Sequence, residues 1–201
     1  MRGNSYAPVM DSFLALDAAR FEFDRRLGTV NDAQWATPTP CEGWTVRDLV
    51  THVISGNNMT VRILGGGTKE EALAILAGGS DSRAESDPYA AFVASADEQA
   101  KAFREPGALD RTVHHPVMDM SGAQQLVFRT GDLLLHAWDL AKAIGGDEQI
   151  DDALVRHVWD EFEPMAPFIG EIGLFGTGPS DTVAEDAPFQ QRLLDLSGRR
   201  P

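Results

Sequence analysis

Residues 131–141 read Gly-Asp-Leu-Leu-Leu-His-Ala-Trp-Asp-Leu-Ala, and the fold turns on how this stretch is read. Leu133, Leu134, Leu135, Trp138 and Leu140 leave little polar surface, so the segment reads as a mostly buried helix. Asp132 and His136 stand four residues apart, which puts them on one helix face with Cβ atoms roughly 5–6 Å apart. An acid and a histidine in a buried setting need partners. A metal ion satisfies both, and so does each the other; spacing alone leaves both readings open. Residues 47–53, RDLVTHV, repeat the spacing with Asp48 and His52. Asp48 falls three residues after Thr45, where a capping box accounts for it, and its charge suits a helix N-terminus. His52 is then the natural third ligand, presented by a second helix. A His/carboxylate/His set with free positions is what zinc or nickel accepts, and open positions admit water or substrate.

Outward from this stretch, periodicity and breakers predict four main helices, over residues 9–27, 46–64, 88–104 and 122–144. Gly65-Gly66-Gly67 closes the second and Gly145-Gly146 the fourth. Asp87 with Pro88 at the first helical position opens the third. A short amphipathic piece, KEEALAILA, follows the second helix, and a short β-pair is expected around residues 112–118. A further helix is expected over residues 151–163, ended or kinked by Pro164. The tail is rich in Gly and Pro but holds Leu174, Phe175, Phe189, Leu193, Leu194 and Leu196, so it is expected to pack on the bundle. The fold class is all-α: a four-helix bundle over residues 1–146, with residues 147–201 as a C-terminal helix and packed tail, one domain overall.

Of 201 residues 43% are hydrophobic, enough for a real core. Lys and Arg total 17 against 31 Asp and Glu, and the net charge of −14 disfavours nucleic acid and anionic membrane surfaces as partners. No run approaches the eighteen or so apolar residues of a membrane span. Asp11, Asp17 and Glu22 interrupt the opening segment where a signal peptide would be apolar. The single cysteine, Cys41, excludes an internal disulfide and any multi-cysteine zinc motif. A cytoplasmic location is expected.

Other polar groups compete for roles. Asp139 could orient the His136 imidazole, but pairing with Arg129 or Arg47, or capping, is the simpler expectation. His114 and His115 precede Pro116 in an irregular segment, and neither is given a function; His157 is expected on a packed helix face. Cys41 lies just before a helix N-terminus, where a thiolate is favoured, but has Glu42 beside it and no evident base. It reads as structural. Trp44 reads as a hydrophobic staple and a possible pocket wall.

Three stretches carry a resemblance: TPCEGWTVRDLVTHV, GDLLLHAWDLAKAIG and the closing DAPFQQRLLDLSGRRP. In this order they resemble actinobacterial metal-binding proteins related to mycothiol-dependent maleylpyruvate isomerase, within the DinB-like superfamily, and the likeness covers nearly the whole chain. The closing LLDLSGRRP looks like the mark of one largely uncharacterised subgroup. The resemblance implies a DinB-like four-helix bundle whose metal, usually zinc, is held at His52, Asp132 and His136. In the isomerase branch the acid is typically glutamate, so Asp132 is one methylene shorter and must sit closer to the ion. That branch also carries a distinct C-terminal domain contributing to substrate binding, which this chain is expected to lack; maleylpyruvate is accordingly not the expected substrate.

The implied chemistry is thiol-dependent, with mycothiol as co-substrate and a small electrophile as its target, in a transferase or isomerase reaction. Arg129 or Arg62 would hold a carboxylate of thiol or substrate, and each reads equally well as a surface arginine. The alternative is a non-thiol binding, regulatory or biosynthetic tailoring protein that keeps the bundle and the metal site. Oligomeric state is not written in these residues.

Overall fold

Each main helix begins where a side chain can satisfy its first free N–H groups. In the computed structural model, which describes residues 10–78, 82–167, 178–180 and 182–200, α1 spans Ser12–Leu27, because the Asp11 carboxylate accepts from Phe13 and Leu14 N–H. It starts three residues later than the apolar pattern suggests. α2, Val46–Leu64, opens with the predicted box in which Thr45 and Asp48 cap each other's backbone N–H. α3, Lys69–Ala77, is the KEEALAILA piece, boxed by Thr68 and Glu71. A short α4, Ser82–Ser86, precedes α5, Pro88–Phe103, which Asp87 caps through Ala90 N–H.

Strands β1, Thr112–His114, and β2, Asp119–Ser121, pair antiparallel with Val113 opposite Met120, both buried. The second strand runs past the expected end of the β-pair straight into α6. Ser121 is both the last strand residue and the cap of that helix, boxed with Gln124. α6 covers Gly122–Ile144, and Gly145 at φ 67° ends it in the left-handed conformation. α7 is Asp152–Phe162, capped by Asp151, and α8 is Phe189–Leu196. Leu174 and Phe175 lie outside the described residues.

The four long helices close a ring: α1 packs on α6, α6 on α2, α2 on α5, and α5 on α1. This is a four-helix bundle, with Leu16, Phe23, Leu49, Phe92, Leu126, Leu133 and Trp138 filling its core. α7 packs against α6 and α1, and α8 against α7; Leu193, Leu194 and Leu196 of α8 belong to the same apolar cluster. Gly131 allows the α6–α7 contact, since a Cβ there would meet the Phe162 ring at 2.1 Å. Among the described residues no helix is long and apolar enough to cross a membrane.

Candidate metal centre

The packing of α2 on α6 turns His52 toward Asp132 and His136. Asp132 Oδ1 lies 3.4 Å from His136 Nε2 and 3.6 Å from His52 Nε2. The three donor atoms fall within 4.8 Å of one another. Good hydrogen bonds run about 2.7–3.2 Å, whereas two ligand atoms each about 2.1 Å from a tetrahedral ion stand roughly 3.4 Å apart. The spacing and the nitrogen and oxygen donors therefore fit a divalent ion. The shorter aspartate reaches far enough to meet both imidazoles. The side chain of His52 is 34% exposed against 8% for His136, so access to the cluster is from the His52 side.

Half-buried Asp132 and buried His136 are each held from behind. Asp132 Oδ2 accepts from Arg129 Nη1 at 2.7 Å, which leaves Oδ1 for the histidines. Arg129 is itself fixed by Gln99 Oε1, Asn57 Oδ1 and the Val53 carbonyl. Room for its guanidinium exists because residue 56 is glycine. Asp139 accepts from His136 Nδ1 at 2.9 Å. A carboxylate can only accept, so Nδ1 carries a proton, and when the imidazole is neutral Nε2 is the nitrogen whose lone pair faces the cluster. Asp139 does not pair with Arg129 or Arg47; its partner is Arg199, whose Nη2 and Nε reach the two oxygens at 2.7 and 3.2 Å. Arg47 instead lies over the Trp35 ring.

Charge follows from these contacts. Burial works against the Asp132 carboxylate, but Arg129 and His136 outweigh it and hold the group well below its usual range. For His136 burial opposes the charged form, while Asp132, Asp139 and Cys41 raise its pKa well above 6.5. Asp139 is drawn down to about 2 against burial, by His136 and Arg199. A cation held here would have to displace a proton from His136.

Two spaces meet at the cluster. An open cleft of about 610 Å³ is lined by Trp44, His52, His136, Cys41 and the cationic Lys142, Arg199 and Arg200. Trp44 lies with its ring centroid 4.7 Å from that of His52. Cys41, read from sequence as structural, borders this cleft, and its Sγ donates to Asp139 Oδ2 at 3.3 Å. Cys41, His136 and Asp139 form a second convergent donor set. The 2.9 Å contact inside it is a hydrogen bond, and Arg199 already engages both Asp139 oxygens. The set with His52 is the better metal site.

The second space, of about 140 Å³, is lined by His52, Asp132, Arg129 and His115 among others. His115 was given no function from sequence, yet burial and the charge of Arg129 lower its pKa to about 4. His114 does meet solvent, paired with Asp119. Arg62 is not brought to the centre: it pairs with Glu71 and lines neither space. Ten residues beyond His52 on α2, it is displaced by about 15 Å along the helix. Arg199 and Arg200 were missed as site residues. The only signal was the closing LSGRRP, singled out as a subgroup mark without a task assigned to it.

Fold and site together define a helical bundle in which two facing helices bring three candidate metal-binding side chains together. The mycothiol maleylpyruvate isomerase N-terminal domain profile matches residues 16–141, and the chain belongs to this family. It is 30% identical over 179 residues to an uncharacterised Mycobacterium tuberculosis protein, in strains CDC 1551 and H37Rv, covering 89% of each chain. Its fold is similar to the crystal structure of the mycothiol-dependent maleylpyruvate isomerase and of a mutant of that enzyme. The TM-score is 0.61 at 19% identity, over 81% of this chain and 72% of the other.

Proposed function

We propose that this protein is a metal- and thiol-dependent transferase or isomerase that acts on a small electrophile, with mycothiol as the thiol. The observation that carries the reading is the ligand-like spacing of His52, Asp132 and His136 beside an open cleft. These three residues would hold zinc, with nickel the second expectation, and a cation bound there would supply acidification of a thiol that is mostly neutral at pH 7.

The remaining chemistry belongs to the protein. Arg129 keeps Asp132 ionised and aimed, and Asp139 keeps His136 in the tautomer that offers Nε2. Trp44 and Trp138 wall the cleft apolar, while Lys142, Arg199 and Arg200 line it with donors suited to the hydroxyls and carbonyls of a sugar-bearing thiol. Membership of the mycothiol maleylpyruvate isomerase family supports the same thiol.

Elemental analysis of purified protein followed by calorimetric titration with mycothiol tests this. One divalent ion per chain is expected, and His52→Ala should lose both the ion and thiol binding. Absence of stoichiometric metal, with His52→Ala still binding thiol, would overturn the reading. Metal without thiol binding would favour the alternative, a binding or tailoring protein that keeps the centre.

A further inference from the structure

One residue lining the small cavity beside His52 carries a buried acceptor that has no donor. Gln125 has no solvent exposure and lines this cavity. Thr60 Oγ1 donates its proton to the Gly56 carbonyl at 2.9 Å. Toward Gln125 the same hydroxyl can only accept, so the amide must turn Nε2 to it, as found at 2.9 Å. That fixes Oε1 as the atom left over. Among the described residues it is one of two buried side-chain polar atoms with no hydrogen-bond partner. Buried acceptors are normally paired, and an orphan on a residue that lines a cavity is explained when a ligand completes it.

The walls define the ligand further. Met59, Leu76, Val117 and Phe128 are apolar, and an apolar cavity of about 150 Å³ admits benzene, so about 140 Å³ suits one six-membered ring. His115 Nδ1 accepts from Val117 N–H, which leaves its Nε2–H as a donor at the same cavity. Arg129, the one arginine present, has each guanidinium nitrogen bonded to Asp132, Asn57, Gln99 or the Val53 carbonyl. A carboxylate would find no unengaged arginine there.

We propose that this cavity seats the electrophilic substrate, and that it selects a compact, flat, mainly apolar molecule bearing a hydroxyl whose O–H donates to Gln125 Oε1. The role as substrate seat rests on the function proposed above; the selectivity of the cavity does not. Thiol and electrophile then approach the same centre from two spaces that share His52.

Calorimetric titration of the full-length protein as purified with phenol, toluene and benzoate tests the selectivity. Phenol is expected to bind at least tenfold tighter than toluene, although toluene is the more hydrophobic, and benzoate more weakly than phenol. Gln125→Leu should reverse the order of phenol and toluene. Val117→Trp, on an exposed turn, should weaken phenol at least tenfold while metal content stays unchanged. Toluene binding as tightly as phenol, absence of binding by both, or phenol binding untouched by Val117→Trp would each overturn the proposal, and none of these needs the Gln125 variant. Phenol selectivity in a protein that binds neither metal nor thiol would sink the proposed function alone; metal and thiol binding without phenol selectivity would sink the cavity alone.

Discussion

Alanine at position 56 would set a Cβ 2.4 Å from Arg129 Nη1. In an ordinary helix interior, replacing glycine by alanine stabilises by about 0.5–1 kcal/mol. Here the sign should invert, because a displaced Arg129 leaves the half-buried Asp132 charge without its partner, a loss that would reach about 3–5 kcal/mol for a fully buried pair. Gly56→Ala is therefore expected to destabilise by about 2–4 kcal/mol in urea unfolding and to weaken metal binding. A variant as stable as the parent would contradict the packing of Arg129. Asp139→Asn keeps the shape but removes the charge that orients His136, and zinc affinity measured by chelator competition should fall about 10–100-fold.

His115 provides a pH test at the same scale. Its folded-state pKa is lowered to about 4 from 6.5, so the unfolded chain takes up a proton at higher pH than the folded one. The stability tied to its neutral form is complete above about pH 6.5 and is lost as pH falls toward 4. Metal-stripped His115→Gln should lose less thermal stability between pH 7 and pH 5 than the metal-stripped parent; parallel profiles would rule this out. Residues such as His52, Asp132 and His136 were legible from spacing and from the family pattern. The placing of Gln125, Cys41 and His115 beside them was not, because it depends on segments distant in sequence.

At the scale of elements, boundaries were legible wherever a side chain makes them. The Thr45–Asp48 box starts α2 at the predicted residue, and Gly145 ends α6 where a positive φ is needed. α1 was overextended because an apolar pattern does not register the Asp11 cap. Thr45→Ala should cost about 1 kcal/mol of stability with metal stoichiometry unchanged, since the cap lies two turns from His52. Stoichiometric loss of metal in that variant would mean that the helix start also sets the ligand position. Within the tail, the α8 segment with Leu193, Leu194 and Leu196 was legible as apolar and packed. Its approach to the site was not, because the turn at Gly198, with φ 77°, precedes an arginine whose partner lies 60 residues earlier.

For the whole molecule, an excess of acid coexists with a cleft lined by Lys142, Arg199 and Arg200. Composition averages over such a patch, so net charge bears on large anionic partners but not on what the cleft holds. The ring of helices has a further consequence. α1 and α6, its first and last members in sequence, are also its most extensive neighbours. Contacts between such distant segments form late and slow folding relative to a bundle of consecutive hairpins. His52 on α2 meets Asp132 and His136 on α6 as that ring closes, so a cation held by them would take no part in the early folding steps. Added zinc is expected to leave the refolding rate unchanged and to slow unfolding, so that the ion acts as a lock on a finished structure.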